Sequence, residues 1–119
     1  MDPVDELAVV LAPLLPLRID EAEYSDPHLM VMGAGWSLAL IGAWEWKAGD
    51  LVITKRGEDT TEDVVWDPVG YSLIGVRGAK GTADFALSGG GVLRARGDGS
   101  GFEFWTFRHR ALQVVHVGT

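Results

Sequence analysis

The stretch from Gly81 to Val117, GTADFALSGGGVLRARGDGSGFEFWTFRHRALQVVHV, constrains the fold more than any other. Ala83, Phe85 and Leu87 alternate with Asp84, Ala86 and Ser88, the period-two pattern of a strand with two unlike faces. Gly89-Gly90-Gly91 supplies backbone able to take positive φ, which a tight reversal needs. Val92 to Arg96 then runs back, and Gly97-Asp98-Gly99-Ser100-Gly101 reverses the chain again. Phe102 to Arg108 reads as the next strand and Leu112 to Val117 as the last. The simplest reading is a three- or four-stranded antiparallel meander.

The rest of the chain supplies a helix and further strands. Asp2 is placed to cap free amides and Pro3 suits the first helical position. Val4, Leu7, Ala8 and Leu11 form a stripe at helical spacing, and Pro13 ends it. The stripe is expected to pack on the sheet. Leu17 to Tyr24 is an edge strand or a polar connection, Asp26-Pro27 a turn, and His28 to Met32 a short strand. Trp36 to Gly42 is apolar on both faces, which predicts a central strand. Ala43 to Lys47 and Leu51 to Lys55 form a hairpin around Ala48-Gly49-Asp50. RGEDTTED, residues 56–63, is a polar loop, and Tyr71 to Arg77 another strand. The whole predicts one α+β domain over residues 1–119. Its N-terminal helix packs on a curved, mainly antiparallel sheet of seven to nine strands, a meander with partial closure into a barrel as its extreme form.

Composition limits the functions open to such a domain. There is no cysteine, so thiol chemistry, Cys-ligated zinc and iron–sulfur centres are excluded. That also fits a reducing cytoplasm. The net charge of −7, from 17 acidic and 10 basic residues, repels nucleic acid and anionic lipid and favours a basic partner. Leu7 to Leu17 is too short to cross a bilayer, and acidic residues precede it where a signal peptide carries positive charge. Neither a membrane span nor a secretion signal is expected.

No catalytic or cofactor motif stands out. His28, His109 and His116 make no ligand pattern, so neither metal nor cofactor is expected. GDGSG lacks the strand–turn–helix context of a dinucleotide loop. Glu45 and Glu103 sit beside tryptophans and are the candidates for a paired-carboxylate enzyme, but cross-strand pairing of Glu103 with Arg94 or Arg96 explains that residue more simply. Trp44 and Trp46, at i and i+2, share one sheet face and could form an aromatic platform. With Glu58, Asp59, Glu62 and Asp63 they make a candidate partner-binding surface; with Glu103 and Trp105 they make the alternative, a ligand pocket. Pairing of exposed edge strands into a homo-oligomer is a further alternative.

The later half carries a resemblance. Asp84-Phe85-Ala86-Leu87-Ser88, Gly90-Gly91, Val92-Leu93, and Glu103 with Trp105 resemble the strand–turn–strand pattern of a loosely defined group of small, β-rich, largely actinobacterial proteins. Trp36 or Trp44 resembles the tryptophan that opens the group's earlier strands. The chain departs from that pattern in its triple glycine, where the turn usually carries Asp or Asn. Some members look like immunity proteins of polymorphic toxin systems. The resemblance therefore implies a non-catalytic binding module that blocks a basic, toxin-like partner.

Overall fold

The computed structural model describes residues 2–25, 28–48, 51–56, 68–78 and 81–119, of which 51–56 as backbone alone. The polar loop and the expected turns at Asp26-Pro27 and Gly49-Asp50 lie outside them. Helix α1, Pro3–Leu11, begins as the sequence implies: the Asp2 carboxylate accepts from the Val4 amide at 2.9 Å, and Asp5 and Glu6 occupy the first turn. Val4, Leu7 and Leu11 are its buried stripe. A 3-10 turn at Ala12–Leu14, holding Pro13, ends it.

Eleven strands follow among the described residues: β1 Leu17–Arg18, β2 Glu21–Ser25, β3 His28–Gly33, β4 Trp36–Leu40, β5 Trp44–Ala48, β6 Leu51–Arg56, β7 Ser72–Arg77, β8 Thr82–Leu87, β9 Gly91–Arg96, β10 Trp105–His109 and β11 His116–Gly118. They form two antiparallel sheets, ordered β1-β7-β8-β9-β5-β6 and β11-β10-β4-β3-β2. The α+β class is as expected. The single sheet and its partial closure are not: there are two sheets, and they do not close into a barrel.

The difference arises where the chain changes sheet. Ile19 donates its amide to Tyr71 O beside β7 at 2.9 Å, and Asp20 donates to Met32 O in β3 at 2.8 Å. Adjacent residues thus serve opposite sheets. Residues 41–43 make a second passage, from β4 to β5. Residues 97–104 make a third, which corrects the expected closing meander. β7, β8 and β9 are a true meander, but β9 pairs on its other side with β5, and β10 inserts between β4 and β11. The GDGSG segment is therefore a crossover. Inside it the Ser100 amide donates to Asp98 at 2.8 Å and the Phe102 amide to Ser100 Oγ at 3.2 Å. The Ser100 hydroxyl and amide hold the Asp98 carboxyl below its ordinary range. Its contribution to stability is thus present above the ordinary aspartate range and lost as pH falls through the lowered value.

Both sheets turn their apolar faces onto one core. Phe85 of β8 meets Trp105 of β10 edge-on, ring centroids 5.7 Å apart, and both are fully buried. Tyr24 of β2 reaches Trp44 of β5 in the same way at 6.4 Å. Helix α1 lies against β7 of one sheet and β11 of the other. β4 is the middle strand of its sheet, as its two apolar faces predict. In β7 a register shift between Leu73 and Gly75 brings Val76 to the core side with Leu73 and leaves Ile74 exposed.

Three tryptophans lie over glycines. A Cβ at Gly118 would overlap the Trp105 indole nitrogen, and one at Gly33 would overlap the Trp36 indole. One at Gly91 would come within 2.7 Å of Trp46 Nε1. A pleated sheet normally has no room for an indole flat against its backbone; a missing side chain on the neighbouring strand makes that room. Gly118→Ala is expected to lower stability by about 3 kcal/mol, the upper end of overpacking costs. Gly75→Ala, whose Cβ would have no neighbour within 4 Å, should stay within about 0.5 kcal/mol of the parent. Urea unfolding of the two variants checks both.

Candidate functional site

The tryptophans and carboxylates singled out from sequence separate in the structure. Trp44 and Trp46 do share a face, but it is the inward one: they are in register with Ala95 and Leu93, both fully buried. Trp44 is buried and Trp46 packs against the core. Trp105 approaches from the opposite sheet. Glu103 is exposed in the crossover, ahead of the strand it was expected to occupy. Glu58, Asp59, Glu62 and Asp63 lie outside the described residues.

Arg94 and Arg96 pair with carboxylates other than Glu103. Arg94 binds Asp84 through two hydrogen bonds of 2.7 and 2.9 Å. Arg96 donates to Glu45 at 2.7 Å. Asp84, Arg94 and Glu45 are in direct register across β8, β9 and β5, so signs alternate along one row of the outer face. The hydrogen bonds to Asp84 raise the Arg94 pKa, outweighing the opposing effect of desolvation, and the Asp84 and Glu45 charges add to the rise. Glu45 is the buried charged residue of the described set, and its carboxylate is committed to Arg96.

A cleft of about 680 Å³ opens at one end of the five-stranded sheet. Its walls come from the Asp20-Glu21 corner, the β3–β4 hairpin, the end of β10 and the segment 112–115. Register explains its floor. Glu21 pairs with Met32, Met32 with Ser37 and Ser37 with Arg108 across β2, β3, β4 and β10. Their chain neighbours Val31, Leu38 and Phe107 point into the core, so this row faces outward.

The wall after β10 is held by backbone contacts. Arg110 donates its amide to Gly35 O at 2.8 Å, and its aliphatic stem lies where a side chain at Gly35 would be. The Ala111 amide donates to His109 Nδ1 at 2.9 Å, and the Leu112 amide to His109 O at 2.9 Å. Val114 and Val115 beyond this turn are exposed. Because His109 Nδ1 accepts that bond, the neutral ring carries its proton on Nε2. Arg108 and Arg110 make no ion pair among the described residues, and neither does Glu21, while Asp20 lies 3.5 Å from Arg18. The described residues contain no group of three or more His, Asp or Glu able to hold a metal ion, and no described helix is long and apolar enough to cross a membrane.

The sequence shows no ligand pattern around His109, and its alternation gives no sign of this cleft. The available signal was a basic triplet in a strongly acidic chain, followed within a few residues by Val114-Val115. No protein-family model, curated protein or solved structure matches the chain.

Two outcomes follow from these contacts. Glu45→Gln should cost about 1–2 kcal/mol, since it weakens a charge-assisted bond whose arginine is half exposed, whereas Glu103→Gln should change stability by less than about 0.5 kcal/mol. Thermal or urea unfolding measures both. His109→Ala should speed amide exchange at Ala111 by about five- to tenfold, the loss of one net hydrogen bond of roughly 1 kcal/mol, as read by exchange NMR.

Proposed function

We propose that the protein is a non-catalytic binding module that holds a protein partner, and that its recognition surface is the cleft beside β10. The observation that carries this reading is the composition of that cleft. Arg108 and Arg110, Glu21 and the exposed Val114 and Val115 converge on a surface fixed by strand register and backbone hydrogen bonds. Interfaces use this combination, apolar contact for affinity and charges of both signs for orientation. The carboxylates weighed for catalysis support the same reading, since Glu45 is tied to Arg96 and Glu103 stands in solvent. The narrower form is an immunity-type inhibitor. A chain of net charge −7 would attract a basic toxin at long range and cover its substrate-binding residues.

Size-exclusion chromatography with the toxin-like protein encoded beside the gene tests this. The expected result is a complex at micromolar concentration, whose association slows with added salt. Val114→Asp together with Val115→Asp should weaken it by about tenfold or more, as expected for charge placed in an apolar contact. Absence of any complex at that concentration would sink the reading.

A further inference from the structure

We infer that the cleft takes an extended peptide segment carrying an acidic group at one end and a basic group three or four residues away. This rests on the binding-module reading and names the chemistry of what is bound. The outward row Glu21–Met32–Ser37–Arg108 puts opposite charges at its two ends and a thioether and a small hydroxyl between them. Three strand spacings separate β2 from β10, about 14 Å between backbones. An extended peptide advances about 3.3 Å per residue. A basic and an acidic side chain three or four positions apart therefore lie about 10–13 Å apart along it, and the Glu21 and Arg108 side chains cover the remainder. A free amino acid, whose own charges are only a few ångströms apart, cannot reach both ends.

Charge complementarity sets the direction. Arg110, its stem laid over Gly35, stands on the same wall as Arg108, so the acidic group of the ligand meets two guanidiniums. Neither is neutralised by the described residues, whereas Arg94, Arg96 and Arg18 each face a carboxylate of this chain. The acidic group is chemically either a side chain or a C-terminal carboxylate, because a guanidinium pair receives both in the same bidentate geometry. Glu21 receives the basic group. Val114 and Val115, exposed on the cleft wall after β10, offer the peptide apolar contact at its acidic end. A simple anion is disfavoured here because Glu21 and Asp20 share the cleft and the chain is acidic as a whole.

The test is an NMR titration of the full chain with a five-residue probe, acetyl-Lys-Val-Leu-Ser-Glu-amide, against two analogues that replace Lys or Glu by Gln. A third probe moves the acid to a free C-terminus and separates the two carboxylate sources. Saturable shifts confined to the cleft residues are expected below about 1 mM, weakened about tenfold by loss of either charge, on the scale of one charge-assisted contact. Arg108→Gln should abolish the preference for the acid-bearing probe, and Glu21→Gln the preference for the lysine-bearing one. Both residues are exposed, so the variants should fold, which an unchanged unfolding midpoint verifies. Equal binding of charged and neutral probes, no binding, or tighter binding of free lysine or glutamate would overturn the inference. A protein complex that persists unchanged in Arg108→Gln and Glu21→Gln would also overturn it, while leaving the binding-module reading intact.

Discussion

Trp105 reaches from one sheet into the other, and much of the structure depends on the space it occupies. Its ring meets Phe85 edge-on at the centre of the core. That position exists only because residue 118, its partner on β11, is glycine. Burying one indole and one phenyl ring in contact contributes several kcal/mol through area, with about 1 kcal/mol more from the edge-to-face geometry. The same contact fixes how β10 sits. β10 pairs with β4 along five residues, and the register of that pairing carries Arg108 opposite Ser37 and starts the cleft wall at His109. A core contact thus determines where the surface charges stand.

The two sheets use charge on their outer faces in different ways. On the six-stranded sheet, Asp84, Arg94, Glu45 and Arg96 neutralise one another within a few ångströms. Those four groups are paired with one another and so offer little of their own charge to anything outside. At the end of the five-stranded sheet the charges are kept apart by Met32 and Ser37, and they remain available to a ligand. This contrast supports the proposed recognition surface better than the count of acidic residues does, because charges already satisfied internally add little to binding.

Much of the local structure could be read from the sequence. Asp2 caps its helix, Pro13 ends it, and β4 lies centrally, each for the reason visible in its residues. What could not be read was which strands are neighbours. Alternation reports that a strand has an inner and an outer face, but not which sheet owns it. β1 pairs with β7, β5 with β9 and β4 with β10, partners far apart in the chain and joined by no turn. The crossover at residues 97–104 resembled a reversal because glycine serves both. The candidate site failed for the same reason. Its four floor residues come from four strands, and only register brings Glu21, Met32, Ser37 and Arg108 into one line.

The late position of β10 in the chain also bears on how the protein is made. β4 is the middle strand of its sheet, yet β10, one of its two neighbours, follows it only after five intervening strands. While the chain emerges from the ribosome, β2, β3 and β4 can pair, but one long edge of β4 stays open until β10 arrives. That edge presents unpaired backbone groups on a strand whose Trp36, Leu38 and Leu40 are apolar, a template able to capture another chain. Pairing so remote in sequence is slow to form. A folding intermediate in which β2, β3 and β4 are paired but β10 is not therefore exposes a site where another copy of the chain can pair.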